Sequence, residues 1–207
     1  MGPLGGYRII DATQMVSGPM ATMILADQGA DVIKVEPPGV GDLTRAMGGS
    51  RRGMAPTFAV INRNKRSIAL NLKDGRGVDL LNRLVATADV FVQNFRPGRA
   101  EKMGIGEPQL RRVRPDLVYV SISGFGEKGP YAHKRVYDPV IQALSGLADI
   151  QADWRSGRPQ MMRLIIPDKV TALTAAQAIT AALLARHRSG EGQHVRLAML
   201  DAVIAFM

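Results

Sequence analysis

Short apolar runs alternate with longer amphipathic stretches along most of the 207-residue chain. Short apolar runs bounded by turn residues are typical of strands buried on both faces, and apolar residues at three- and four-residue spacing are typical of helices. The pattern predicts strands at 7–12, 31–36, 67–72, 89–93, 117–123 and 193–198. It predicts helices at 20–28, 75–88, 106–112, 138–148 and 169–187, and another beginning at 201. The alternation predicts a doubly wound α/β fold with five or six parallel strands and helices on both faces.

The loops that follow the predicted strands are the candidate functional surface, because ligands of such sheets bind beyond the carboxyl ends of the strands. They include 13–19 (TQMVSGP), the Pro-Gly turn at 94–98 and the glycine-rich stretch 124–130. None of them has the glycine spacing of a dinucleotide-binding or Walker loop. The loop-like stretch 37–53, rich in Gly and Arg, separates the second and third strands.

Asp168 stands directly before the longest predicted helix. An Asp at this position commonly caps the helix, and the positive end of the helix dipole would keep its carboxylate ionised. The position also suits a nucleophile displayed at the mouth of a cleft, and the local sequence leaves both interpretations open. The helix itself carries a face of small residues, which favours close packing on a sheet: Thr171, Thr174, Ala175, Ala178, Ala181 and Ala182.

Composition excludes several classes of function. The chain has no Cys, and its three His residues are scattered, so we expect neither disulfides nor thiol chemistry nor a metal site. The longest uncharged run is 16 residues, 170–185, short of the about 20 that span a bilayer. The chain shows no leader segment. We therefore expect a cytoplasmic protein that does not insert in membranes.

The net charge of +9 suits an anionic partner. Nucleic acid and a phosphate-rich cofactor are candidates, and an acidic remainder of a longer protein is a third explanation. Aromatic residues make up only 5% of the chain and do not interleave with the basic residues, as a base-stacking surface would require. We therefore expect no nucleic-acid partner.

Six stretches of the chain, in order, resemble the family III CoA-transferases, a family that includes formyl-CoA transferase, carnitine CoA-transferases and α-methylacyl-CoA racemase. They are GYRIIDATQMVSGPMATMILADQGADVIKVEPP, NRNKRSIALNLK, ADVFVQNFRPG, GFGEKGPY, YDPVIQALSG and RSGEGQHVRLAMLDAV, and they reach from Gly6 to Val203. The resemblance implies a Rossmann-like fold and, in full-length members, an interlocked homodimer. It also implies that residues 1–207 are the large domain of a longer chain, truncated inside a helix and lacking a C-terminal small domain.

The resemblance further implies an enzyme that moves CoA from an acyl-CoA to a carboxylic acid. Asp168 matches the family's catalytic Asp, which forms anhydride and aspartyl-CoA thioester intermediates. Coenzyme A is then a substrate, and no cofactor is permanently bound. The implied CoA contacts are Val16, Ser17, Leu70, Asn71, Leu72, Lys73, Asn94, Phe95, Arg96, Lys102, Lys134, Arg135, Val136 and Tyr137.

Three departures from the family pattern narrow the range of expected activities. Val16 stands where formyl-CoA transferase has a catalytically useful Gln, which argues against formate. Pro37 replaces a basic residue that binds a CoA phosphate there. Tyr137 occupies the place of the racemase's His base, which disfavours α-proton exchange by two bases. Two alternatives remain. One is an acyl-CoA racemase or isomerase, and the other is a non-catalytic CoA-binding fragment.

Overall fold

A six-stranded parallel sheet forms the centre of the computed structural model, which describes residues 2–51 and 54–207. Its strands are β1 (Arg8–Asp11), β2 (Asp31–Glu36), β3 (Lys65–Ala69), β4 (Val90–Gln93), β5 (Val118–Ser123) and β6 (His194–Ala198). They lie in the order β3-β2-β1-β4-β5-β6, and every neighbouring pair is parallel. This is the order of doubly wound sheets, so the predicted fold class is confirmed.

Helices join the strands throughout the described residues. They are α1 (Ser17–Asp27), α2 (Pro56–Asn62), α3 (Gly75–Val85), α4 (Arg99–Lys102), α5 (Glu107–Val113), α6 (Asp138–Leu144), α7 (Leu147–Ile150), α8 (Ile166–Ser189) and α9 (Met199–Phe206). A short 3-10 helix, Leu43–Ala46, interrupts the predicted loop at 37–53, of which residues 52 and 53 lie outside the described part. In that part of the chain, no helix is both long and apolar enough to cross a bilayer.

Several boundaries differ from the sequence prediction for local reasons. Helix α1 begins three residues early because Pro19 lies in its first turn, where proline is tolerated. The predicted helix at 138–148 is two helices, because Gly146 adopts φ +86 and breaks the first one. Helices α2 and α4 were missed because seven and four residues are too few to show a helical period.

Helices cover both faces of the sheet. Helices α1 and α8 pack on one face, where Ala21 and Leu25 meet Ala172 and Ala175 over the sheet residue Val92. Helices α3 and α5 pack on the other face through Leu81, Val85 and Leu110. The small-residue face of α8 is only partly buried: Thr171, Ala175 and Ala182 are inside, but Ala181 is exposed.

The winding of the chain changes direction between β1 and β4. From β1 the chain proceeds outward to β2 and β3, then returns to place β4 on the other side of β1. In doubly wound sheets, ligands bind in a crevice outside the carboxyl edge at such a switch point, which here lies between the loops after β1 and β4. Asn94 joins these loops, because its side chain accepts the Gln14 N–H at 3.0 Å and donates to the Gln14 carbonyl at 2.7 Å.

Candidate active site

Asp168 does not cap its own helix. Helix α8 begins at Ile166, with Ile165 at the N-cap position and Pro167 in the first turn, and Ile165 makes no side-chain capping bond. Asp168 is thus the third residue of the helix, and the interpretation of this residue as an N-cap is wrong. Its carboxylate is left to interact with other elements.

Three helix starts meet at Asp168. Its Oδ1 accepts the backbone N–H of Ser17, the first residue of α1, at 3.2 Å. Its own backbone N–H donates to Oδ2 of Asp138, the first residue of α6, at 3.1 Å. The carboxylate therefore lies at the positive end of α1 and beside a second carboxylate.

Burial is the largest influence on the Asp168 carboxyl and, with the neighbouring Asp138 charge, raises its pKa to about 6. The Ser17 N–H opposes this shift without reversing it. Desolvation and a like charge therefore outweigh the helix N-terminus in setting the pKa of Asp168, although a pKa of about 6 still leaves the group ionised at neutral pH, as expected. At neutral pH the group is a carboxylate of greater basicity than an ordinary Asp.

Asp138 is a functional candidate that the sequence analysis missed. It is only 3% exposed, and its Oδ1 accepts from Gln142 Nε2 at 2.6 Å. Gln142 in turn accepts the Met162 N–H at 2.8 Å, which ties the segment before α8 to α6. The signal that could have revealed it is an Asp-Pro helix start with Gln four residues later, within the stretch YDPVIQALSG.

The predicted contacts Val16 and Ser17 lie at the start of α1, where the Ser17 N–H meets the carboxylate. Val16 precedes α1 and is 5% exposed, and Ser17 is also buried. Of the predicted CoA contacts, Ser17 is the one for which the described residues give a hydrogen bond to Asp168. Val16 and Ser17 thus border the crevice from the β1 side.

The predicted contacts in the loop before α6 surround the start of that helix. Val136 packs so closely on Gly124 that a Cβ there would lie 2.0 Å from Val136 Cγ1. Tyr137 immediately precedes Asp138 and is 63% exposed. Lys134 and Arg135 are exposed. This loop therefore offers open side chains next to Asp138.

The remaining predicted contacts follow β3 and β4. Leu70, Leu72 and Phe95 pack into one apolar cluster, so they contribute to the core as well as to the sheet edge. The side chains of Asn71, Lys73, Arg96 and Lys102 are exposed. The structure gives no direct bond within the described residues between this group and Asp168.

A cavity of about 360 Å³ lies beside Phe95 and Arg96. His133 and His194 also line it, whereas Ser17 and Asp168 do not, so it is separate from the Asp168 carboxylate. Among the residues that the structure describes, no group of three or more His, Asp or Glu is arranged to hold a metal ion.

Comparison with known proteins identifies the family. The family model for CoA-transferase family III matches residues 4–207. Succinyl-CoA:glutarate CoA-transferase of Mus musculus is 43% identical over 206 residues, which are 99% of this chain and 47% of that protein. Acetyl-CoA:oxalate CoA-transferase of Acetobacter aceti is 39% identical over 207 residues, which are 100% of this chain and 53% of that protein.

A solved structure gives the same result. A CAIB/BAIF family protein from Brucella suis superposes with a TM-score of 0.94 at 38% identity, over 99% of this chain and 55% of that chain. The chain spans about half the length of the relatives it matches. The resemblance carried by the six ordered stretches is confirmed, and the chain belongs to the family III CoA-transferases.

Proposed function

We propose that the protein transfers CoA from an acyl-CoA to a carboxylic acid, with Asp168 as the nucleophile. The observation that carries the proposal is a partly buried carboxylate at the sheet's carboxyl edge, which accepts the Ser17 N–H and has a pKa raised to about 6. A carboxylate of that kind is ionised at neutral pH and more basic than usual, which suits covalent catalysis.

The reaction proceeds through two anhydrides and one thioester. An Asp168 oxygen attacks the thioester carbonyl, the C–S bond breaks, and CoA leaves as a thiolate. The thiolate attacks Asp168 Cγ and releases the donor carboxylate, leaving an aspartyl-CoA thioester. The acceptor carboxylate attacks Cγ and expels the thiolate, which then attacks the acceptor carbonyl and frees Asp168. The steps require no net proton and no redox partner.

Ser17 and Asp138 have opposite roles in these steps. The Ser17 N–H stabilises negative charge on the Asp168 oxygens, both in the free carboxylate and when Cγ becomes tetrahedral. Asp138 repels the free carboxylate, but it does not repel a neutral anhydride or thioester at the same position. Its charge therefore favours the covalent adducts relative to the free enzyme.

CoA itself is expected to lie along the loops after β1, β3, β4 and β5. The basic side chains among the predicted contacts are exposed and suited to phosphates: Lys73, Arg96, Lys102, Lys134 and Arg135. The net charge of +9 favours association with an anionic substrate. Glutarate and oxalate, which the names of two relatives contain, are dicarboxylic acids, so dicarboxylates are the first acceptors to screen.

A trapping experiment tests the proposed nucleophile. The whole protein is mixed with succinyl-CoA, quenched with hydroxylamine and mapped by mass spectrometry. We expect a hydroxamate at Asp168, none in Asp168→Asn, and wild-type labelling in the control Asp201→Asn, which alters an exposed acid of α9. An active enzyme that is labelled at another residue, or at none, contradicts the proposal.

Racemisation on the same scaffold is the alternative enzyme activity. The exposed Tyr137, at the position of the racemase's His, supports transfer instead. Solvent deuterium entering the α-carbon of an acyl-CoA without acyl exchange would favour the racemase.

We also infer that the whole protein is a homodimer, as the family resemblance implies. Light scattering of the whole protein should give twice the mass of its chain, and a monomeric mass contradicts this inference.

A further inference from the structure

Four buried charged side chains lie beneath the loop between β1 and α1. Asp11, Lys34, Asp42 and Lys65, here called the buried ion cluster, have side chains that are at most 2% exposed. Lys34 Nζ lies 2.8 Å from Asp42 Oδ2, and Lys65 Nζ lies 2.9 Å from Asp11 Oδ2. The two lysines and two aspartates balance in charge. Burying so many charges opposes folding unless each is paired, so the cluster calls for an explanation other than stability.

Lys34 and Asp42 bind the backbone of the loop directly. Lys34 Nζ donates to the Thr13 carbonyl at 2.9 Å, and the Met15 N–H donates to Asp42 Oδ1 at 3.3 Å. Asp11 Oδ1 accepts the Thr13 N–H at 2.9 Å. Successive turns of the loop are therefore fixed by charged groups that are themselves immobilised by ion pairs.

The other half of the cluster holds the first turn of α1. Lys65 Nζ donates to the Pro19 carbonyl at 2.7 Å, and Thr22 Oγ1 donates to Asp11 Oδ2 at 2.7 Å. Burial raises the pKa of Asp11, but Lys34 and Lys65 outweigh it and hold that pKa well below its usual range. Asp11 is therefore charged at neutral pH, and the cluster fixes the chain on both sides of Ser17.

The backbone of the loop needs this restraint. Met15 adopts φ +67, a left-handed conformation that is unfavourable for a side chain other than Gly, Asn or Asp. Such conformations persist where contacts with the surrounding structure hold them in place, and they are concentrated at functional sites. Ser17, whose N–H contacts Asp168 Oδ1, follows two residues later.

We propose that Lys34 and Asp42 are positioning residues, which fix the loop at residues 13–16 so that the Ser17 N–H is directed at Asp168. The inference rests on the proposed function, because it gives a role to a contact of the proposed nucleophile. Neither residue touches substrate. Each acts through the backbone of the loop.

A paired substitution in the whole protein tests the inference. Lys34→Met with Asp42→Asn removes one charge of each sign and keeps an oxygen that accepts the Met15 N–H, but it loses the bond to Thr13. We expect kcat to fall by about tenfold or more, since small misplacements of reacting groups are costly. We also expect the acidic limb of the kcat/KM profile to move to higher pH, because a weaker Ser17 bond stabilises the Asp168 carboxylate less.

The control is the pair Arg66→Met, on β3, with Asp31→Asn, on β2, the strand that also carries Lys34. This ion pair is exposed, with its closest atoms 2.7 Å apart, and it touches neither the loop nor the cluster. We expect wild-type kcat and pH profile from the control.

Adding Met15→Gly to the paired variant should recover part of kcat, because glycine adopts positive φ without strain. A purely structural role for the cluster gives no such recovery.

A folded paired variant with wild-type kcat and pH profile overturns the inference. If that variant does not fold, Asp42→Asn alone decides. It can keep an Oδ1 that accepts the Met15 and Thr44 N–H groups, and it replaces Oδ2, which pairs with Lys34, by an NH2 group. A reduced kcat and a raised acidic limb support the inference, and wild-type values overturn it. Failure of the proposed function is distinguishable, because Asp168→Asn would then still transfer CoA.

Discussion

At the scale of single residues, the pKa of Asp168 depends on a repulsion that one substitution can remove. We expect Asp138→Asn to lower this pKa by about one unit, because a like charge disfavours ionisation and the amide oxygen can still accept the Asp168 N–H. The acidic limb of kcat/KM, which reports the free enzyme, should move to lower pH by the same amount. Asp149→Asn, an exposed acid of α7, is the control. An unmoved limb, or one moved upward, contradicts this assignment.

The same carboxyl links stability to pH. Its pKa rises from the usual 3.8 to about 6 on folding, so between these values the folded protein holds a proton that the unfolded chain has released. Raising the pH through this window therefore lowers the free energy of unfolding, and the full loss is present above about pH 6. We expect Asp168→Asn to raise the free energy of unfolding by about 1–2 kcal/mol at pH 7.5, a value reduced because the side chain is partly exposed. The increase at pH 4.5 should be clearly smaller.

Urea unfolding of wild type and variant at both pH values measures this difference. Asp201→Asn, which alters an exposed acid, should change stability equally little at both. A gain at pH 4.5 that equals or exceeds the gain at pH 7.5 would show that the pKa of Asp168 is not raised.

At the scale of elements, the start of α1 fits closely against the loop before it. A Cβ on Gly18 would lie 2.4–2.6 Å from the side-chain atoms of Thr13, which is fully buried. We expect Gly18→Ala to lower the free energy of unfolding by about 1–3 kcal/mol through overpacking, and to reduce kcat by moving Ser17. Urea unfolding and steady-state kinetics measure the two effects.

Gly75→Ala is the matched control. Gly75 also lies in the first turn of an 11-residue helix, and a Cβ there meets nothing within 4 Å. Alanine at this position should be neutral or should stabilise by up to about 1 kcal/mol, since it reduces the freedom of the unfolded chain. Equal effects of the two substitutions would contradict the close fit at Gly18.

Hydrophobic periodicity predicted the elements whose apolar residues face the sheet, and it missed those that do not follow a long pattern. Strands β2 and β5 are buried along nearly their whole length, so their apolar runs located them to within one residue. Strand β3 lies at the sheet edge and begins with Lys65 and Arg66, so the sequence placed it two residues late. The basic start is compatible with a strand because Arg66 is exposed at the sheet edge, whereas the Lys65 side chain is buried and paired with Asp11.

The candidate site was predictable only in part. Position in the chain and family resemblance singled out Asp168 and Ser17, but no local pattern could reveal that they touch, since 151 residues separate them. Asp138 and the buried ion cluster were missed because a buried charge is recognised by its partners, and those partners come from different strands and loops. The described residues thus supply the electrostatic account that the sequence lacked.

At the scale of the whole molecule, the site proposed here is built from a chain that spans about half the length of its relatives. We predict that residues 1–207 alone bind CoA weakly and turn over poorly compared with the whole protein. Large apolar side chains such as Trp154, Ile204 and Phe206 are 84%, 53% and 64% exposed in the isolated chain. Calorimetry with CoA and a transfer assay, each run beside the whole protein, measure the difference. Tight CoA binding together with full turnover by residues 1–207 would contradict the prediction.

The meeting of three helix starts at Asp168 has a consequence for folding during synthesis. On the ribosome, Ser17 emerges early, Asp138 much later, and Asp168 later still. Until α8 has docked on α1, the nucleophile is a solvated aspartate of ordinary basicity with no amide directed at it. A nascent or half-folded chain therefore lacks the geometry at Asp168 on which the proposed mechanism depends.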